Sequence, residues 1–84
     1  MTDYEKLKEF ILYNPISGSM TWRIDHSGRK KGGLVGKRFR LKYKKYSKSI
    51  AAYILAYREK PNGRIYFKNN GKNKYAENNM FTLN

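Results

Sequence analysis

The chain has 84 residues, of which 19 are Lys or Arg and 6 are Asp or Glu, for a formal net charge of +13, and it contains no cysteine. A chain of this length makes one small domain that buries about 60 to 65% of its unfolded surface, and without cysteine no disulfide or thiolate–metal staple can strengthen that thin core. So much charge repels itself in the folded state and points to a polyanionic partner, while a hydrophobic content of 39% and an aromatic content of 15% argue against a disordered basic tail.

Residues 2–13, TDYEKLKEFILY, read as a helix capped by Thr2 or Asp3, with Tyr4, Leu7, Phe10 and Ile11 as a narrow apolar stripe. Asn14-Pro15 stops it, and Ser17-Gly18 turns the chain into SMTWRI, where Met20, Trp22 and Ile24 alternate with Thr21 and Arg23 as on a half-buried strand. From Asp25 to Gly36, glycine and lysine predict a mobile loop. In KRFRLKYKKY, Arg38, Arg40, Lys42 and Lys44 alternate with Phe39, Leu41 and Tyr43, which predicts one strand with a core face and a ladder of cations opposite.

SKSIAAYILAY then changes period. Ile50, Tyr53, Ile54 and Tyr57 fall at helical spacing with alanines between them, and Ser47 or Ser49 is placed to cap the helix. KPNG breaks the chain before RIYF, a short strand with Ile65 and Phe67 on one face, and KNNGKN is a loop or hairpin tip. YAENNMFTL fits a short helix or a final strand, and the local pattern does not decide between them. The longest apolar run falls short of the roughly 20 residues of a membrane span, and the acidic, amphipathic start is unlike a signal peptide. The expectation is a soluble, cytoplasmic protein without a membrane partner. With no repeat or linker, residues 1–84 read as a single domain, with a basic strand region at 12–48 and the central helix and closing motif at 49–84.

The charge is polarised. Ten Lys or Arg and no acid lie between Arg29 and Lys48, whereas the first ten residues hold three acids and two bases. Cations in a row on one face bind phosphates strongly, salt-dependently and without regard to sequence. The candidate phosphate contacts are Arg23, Arg29, Lys30, Lys31, Lys37, Arg38, Arg40, Lys42, Lys44, Lys45 and Lys48. Specificity then falls to the segment Lys68, Asn69, Asn70, Lys72, Asn73 and Lys74, whose amides can read base edges, with Trp22, Tyr43, Tyr46 and Tyr66 as candidate stacking groups. Trp22, Phe39, Leu41, Ile54 and Phe67 are assigned to the core.

The order of these pieces resembles the small HNH endonucleases of phages and mobile elements. LYNPISGSMTWR is similar to that family's L-Y-x-P-x-T-G-x-L-T-W-R opening, and the spaced glycines Gly32 to Gly36 resemble the loop that follows it. YSKSIAAYILAYREKPNGRI is similar to the family's helix and Pro-x-Gly exit, and IYFKNNGKNKYAENNMF lies without gaps on the signature I-D-H-I-N-G-N-K-T-D-N-R-I-E-N-L-R. In the family the Asp binds a divalent metal, the His activates water, a middle Asn orients it and a last Asn completes the site. Here those positions hold Tyr66, Phe67, Tyr75 and Asn79, and Asn69 keeps a further family position, while the His-Arg pair of the preceding helix has become Ser49 and Ile50. Phenylalanine can neither bind a hard cation nor take a proton.

The resemblance therefore implies an α+β fold, with an N-terminal helix, a small antiparallel sheet, a central amphipathic helix and a C-terminal HNH-like ββα motif stripped of its chemistry. The expected function is a non-catalytic DNA-binding protein of a phage or mobile element, a regulator or site-blocking protein, with duplex DNA as partner and no cofactor or metal. The alternative is an inhibitor that caps an acidic or nucleic-acid-processing protein; RNA ranks below both. Asp25-His26 is a lone Asp-His pair without a second carboxylate, and Glu77 with Asn79 makes a poor cation site, so neither is assigned a role.

Overall fold

The computed structural model describes residues 2–25, 28–71 and 73–82, so His26 and Lys72 lie outside the described residues. Among the described residues the architecture is α+β, with two helices and three two-stranded antiparallel sheets. No described helix is long and apolar enough to cross a membrane.

Helix α1, Asp3–Phe10, begins in a capping box. The Thr2 hydroxyl accepts from the Glu5 amide at 3.1 Å, and the Glu5 carboxylate accepts from the Thr2 amide. Leu7 and Phe10 are buried, each contributing about 1.5 to 3 kcal/mol. The helix ends at Phe10 rather than running to Tyr13 as the apolar spacing predicts. Ile11–Tyr13 is instead strand β1, paired in register with Trp22, Thr21 and Met20 of strand β2, Met20–Trp22. Three residues of ladder pairing outweigh one more helical turn, and β-branched Ile11 favours the strand.

The β1–β2 turn is locally encoded. The Asn14 side-chain oxygen accepts from the Ile16 and Ser17 amides at 2.9 and 3.3 Å, and Gly18 completes the turn at φ 78°. Met20 and Trp22 are buried as expected, but Ile24 lies past the end of β2 and is exposed. Residues 28–36 are tied down rather than loose. Gly32 and Gly33 bond the backbone of Trp22 at 2.8 and 2.9 Å, Val35 donates to the Met20 carbonyl at 3.1 Å, and the Val35 side chain is buried. Thr21 bridges to Leu34, so β2 has neighbours on both edges. The missing signal was backbone pairing, which side-chain composition does not carry.

The basic segment is a hairpin, not one strand. Strands β3, Arg38–Leu41, and β4, Lys44–Ser47, pair antiparallel around the two-residue turn Lys42-Tyr43, both at positive φ. The alternation that suggested a continuous strand runs across that turn, which lacks the Asn-Gly that normally announces it. Phe39, Leu41 and Tyr46 face the core. Strand β4 passes without a linker into helix α2, Lys48–Tyr57, because Ser47 is at once its last residue and the helix cap, accepting from the Ile50 amide at 3.2 Å. The buried face of α2 is Ala51, Ala52, Tyr53 and Ile54. Ile50, expected in the core stripe, is exposed, since the small alanines let the helix approach the core closely on that side.

Helix α2 ends with Arg58 in the left-handed conformation, before Pro61. Strand β5, Ile65–Phe67, pairs with strand β6, Met80–Thr82, and a 3₁₀ turn at Glu77–Asn79 leads directly into β6. The open choice for the last segment is thus resolved as a short turn followed by a strand, and no α-helix follows it among the described residues. Trp22, Phe39, Leu41 and Ile54 lie in one buried cluster with Met80, and Phe67 packs half-buried against it.

The N-terminal turn and the C-terminal segment touch closely. Glu77 donates its amide to the Pro15 carbonyl at 2.8 Å, and the Tyr13 hydroxyl donates to the Tyr75 carbonyl at 2.6 Å. A Cβ added at Gly18 would stand 2.3 Å from the Ala76 nitrogen. Gly18→Ala is therefore expected to cost about 2 to 4 kcal/mol, through strain at positive φ and a backbone clash, lowering Tm by roughly 10 °C or more. An unchanged Tm in thermal melts would contradict this packing.

Candidate nucleic-acid interface

The hairpin sorts its cations by side. Arg38 stands opposite Ser47, Arg40 opposite Lys45, and Leu41 opposite Lys44. Cross-strand partners share a face, so Lys44 lies on the inner side with Leu41, while Arg38, Arg40 and Lys45 project from the outer side. The outer three are exposed and have no carboxylate partner among the described residues. They line a shallow groove of about 530 Å³ together with Phe39, Tyr46 and Ser47. Lys37, just before β3, is exposed, and its carbonyl accepts from the Lys48 amide at 2.8 Å, extending the ladder by one pair; alternation gives it the side opposite to Arg38, so it is not part of the outer row.

Two cations assigned to this row are elsewhere. Lys44 reaches Asp3, with its ammonium 2.9 Å from both carboxylate oxygens. Lys42, at the turn, lies 3.7 Å from Glu9 and 5.6 Å from the centre of the Phe10 ring. A single strand would have put both on the cationic face, and the turn between β3 and β4 reverses that for Lys44. Arg23 is also separate. Its guanidinium donates to the Lys8 carbonyl at 3.1 Å, and it lines a different cleft with Tyr4, Lys8 and Arg58.

The Asp3 carboxylate is the most heavily used acid of the described chain. It accepts from the Tyr46 hydroxyl at 2.7 Å, and Lys60 approaches within 3.4 Å on its other oxygen. The Tyr46 hydrogen bond, then Lys44 and Lys60, hold its pKa at about 2 against the ordinary 3.8, outweighing the opposing effect of burial. Burial, then Asp3 itself, pushes the Tyr46 hydroxyl up, and burial does the same at Tyr13 and Tyr57. Glu5 is held down by its cap hydrogen bonds. All five shifts move away from neutrality, so none of these groups is poised to exchange a proton at pH 7.

Two further basic groups lie outside the outer row. Arg29 covers the Trp22 ring at 4.8 Å, with Lys30 and Lys31 exposed beside it, and the Lys31 amide donates to Asp25 at 2.8 Å. At the far end, Lys74 lies 4.7 Å from the Phe67 ring centre and 5.6 Å from that of Tyr75, and Lys48 lies 4.9 Å from Tyr75. Sequence reading missed this pairing of Lys48 with Lys74, since neither periodicity nor composition connects residues so far apart. It also missed Lys60 as the second cation on Asp3.

The asparagine-rich segment is partly a self-supporting loop. Asn69 accepts the Gly71 amide at 2.7 Å through its side chain, and Asn73 occupies a left-handed turn position at φ 66°. The Asn79 amide donates to the Asn69 and Lys74 carbonyls at 2.7 and 2.9 Å and so clasps the two ends of the loop. Asn70 and Lys68 remain exposed. Of the stacking candidates, Trp22 and Tyr46 are buried, and Tyr66 is stacked on Phe81 at 5.7 Å, with Arg64 5.8 Å from its ring centre. Tyr43 is free, 98% exposed at the hairpin tip. Among the described residues no three of His, Asp and Glu come together as a metal would require. Compared with models of known protein families, with curated proteins and with solved structures, the chain matches none of them.

Two outcomes follow from this arrangement of charge. Because the folded pKa of Asp3 is depressed, its stabilisation is complete above about pH 4 and is lost as pH falls through about 2. Asp3→Asn should cost about 1 to 2 kcal/mol at pH 7, with the gap to the unaltered chain closing in melts run between pH 4 and 2. Arg40 and Lys45, like charges directly opposite, work against the hairpin. Lys45→Gln should raise Tm by roughly 2 to 5 °C at low salt, and the gain should vanish near 1 M salt, where screening acts within about 3 Å.

Proposed function

We propose that the chain is a non-catalytic DNA-binding protein whose principal contact is the outer face of the β3–β4 hairpin. The observation that carries this reading is the set Arg38, Arg40 and Lys45, which sit side by side on one face without carboxylate partners among the described residues although they repel one another. A fold optimised for its own stability would not hold them there. A two-stranded antiparallel ribbon is a shape that the major groove of duplex DNA admits, and its outward cations would meet the phosphates that line the groove. Lys37, Lys30 and Lys31 are further exposed cations outside that row, available to other phosphates of a bound duplex.

The reading of the C-terminal part as a nuclease motif without its chemistry draws on a second observation. Phe67 and Tyr75, which stand where the HNH endonucleases keep their His and middle Asn, are in edge-to-face contact with ring centres 5.6 Å apart. The Asn79 amide, at the place of the family's last ligand, is spent on the two carbonyls of the loop. The element order lends this reading no support, since β5 is followed by a 3₁₀ turn and β6 and by no α-helix among the described residues; what supports it is that the positions that would carry chemistry hold rings and a structural amide. In this reading the protein comes from a phage or mobile element and works by occupying DNA, as a regulator or by blocking a site.

An inhibitor of an acidic, nucleic-acid-processing protein is the second reading. It is favoured by an exposed apolar row, where Leu12 and Leu34 flank Thr21 across β1, β2 and the strap at 33–35. Such a partner would form a stoichiometric complex without nucleic acid.

Duplex binding measured at several salt concentrations, with a parallel cleavage assay in magnesium and manganese, tests the first reading. Log affinity should fall linearly with log salt, and neutralising Arg38, Arg40 and Lys45 together should reduce that slope by about 2 to 3. Neutralising Lys42 and Lys44 should leave the slope unchanged while lowering Tm. No binding to duplex at low salt would sink the proposal, and metal-dependent cutting would overturn its non-catalytic part.

A further inference from the structure

The hairpin turn is built from residues that do not suit it. Lys42 and Tyr43 have φ of 46° and 71°, the pattern of a two-residue type I′ turn, which asks for Asn-Gly or Gly-Gly because side chains resist the left-handed region. Lys42 recovers something through Glu9 and the Phe10 ring. Tyr43 recovers nothing. Its ring is 98% exposed and touches no other described side chain. A bulky aromatic is thus held at a strained backbone position and in water, where glycine would serve the fold better.

Its place on the hairpin gives that residue a use. The tip lies about two strand rises, roughly 7 Å, beyond the Arg40–Lys45 pair. With a tyrosine side chain added, the reach exceeds the major-groove depth of about 8.5 Å. If the ribbon enters the groove tip first, with the outer cations on phosphates at the rim, the ring arrives at the level of the bases. Trp22, Tyr46 and Tyr66 already have their rings engaged within the protein, so among the aromatic candidates Tyr43 is the ring with free faces.

We propose that Tyr43 is a stacking group carried at the tip of the cationic ribbon, and that the chain prefers DNA holding a locally unstacked base, such as a single-base bulge, over a regular duplex. The proposal rests on the DNA-binding reading above and narrows its substrate. An aromatic ring gains most from a base whose face is already open, because a regular duplex must first be unstacked to offer one. The turn's strain is the cost to the fold of presenting that ring.

The test compares an intact duplex with the same duplex carrying one bulged 2-aminopurine, for the native chain, Tyr43→Gly, Tyr43→Phe and a variant with Arg40→Gln and Lys45→Gln. The native chain should bind the bulged duplex about tenfold more tightly and quench the probe. Tyr43→Gly should lose the preference and the quenching while melting several degrees higher, which separates lost recognition from lost folding. Tyr43→Phe should keep both, and the charge variant should weaken binding to the two duplexes alike. Equal native affinity for the two duplexes, or a preference that survives Tyr43→Gly or disappears in Tyr43→Phe, would overturn the stacking proposal while leaving DNA binding in place. Failure to bind either duplex would remove the DNA-binding reading itself.

Discussion

At the first turn of α1, the Asp3 carboxylate holds the Tyr46 hydroxyl and the Lys44 ammonium, and Lys60 closes on it from the segment after α2. That contact determines which way the basic hairpin faces. With Lys44 and Tyr46 drawn toward α1, strand alternation leaves Lys45 no choice but the opposite side, and cross-strand pairing sends Arg40 and Arg38 with it. A single acid thereby ties three parts of the chain together and fixes the side on which positive charge is left uncompensated.

Three further described carboxylates follow the same partition. Glu9 meets Lys42, Glu5 closes the helix cap and Asp25 accepts from the Lys31 backbone. These acids neutralise the α1 side or serve the backbone, and among the described residues no carboxylate pairs with Arg38, Arg40 or Lys45. The resulting asymmetry suits a polyanion lying along one side of the molecule, and it is this asymmetry, more than the total of +13, that favours the proposed interface. The rings of Phe67 and Tyr75 are covered by Lys74 and Lys48, which adds two cations at the C-terminal segment.

The helices were legible because their signals are local: the Thr2 to Glu5 capping box, the Ser47 cap and the period of α2 all lie within a few residues of one another. The two alternating strands, β2 and β3, were legible for the same reason. What escaped was set by pairing between distant segments. Ile11–Tyr13 left the helical pattern because β2 was available, and residues 28–36 became a strap because Trp22 and Met20 offer backbone partners. The turn at Lys42-Tyr43 was hidden by its own composition, since it lacks the residues that mark such turns. Misplacing Lys44 was the consequence, because the alternation put it with Arg38 and Arg40 and the hairpin sets it on the other face. The Arg38, Arg40 and Lys45 surface could be anticipated as basic, but its separation from Lys42, Lys44 and Arg23 could not.

The junction at Ser47, where β4 becomes α2 without an intervening residue, has a bearing on how a partner would be met. With no hinge between ribbon and helix, and with the ribbon's inner side fixed to the core through Phe39, Leu41 and Tyr46, the outer face is organised before any encounter. Association then loses little conformational entropy on the protein's side. In the proposed complex the adjustment falls on the nucleic acid, so selectivity would follow how easily a given DNA sequence bends and widens, even at base pairs that no side chain touches.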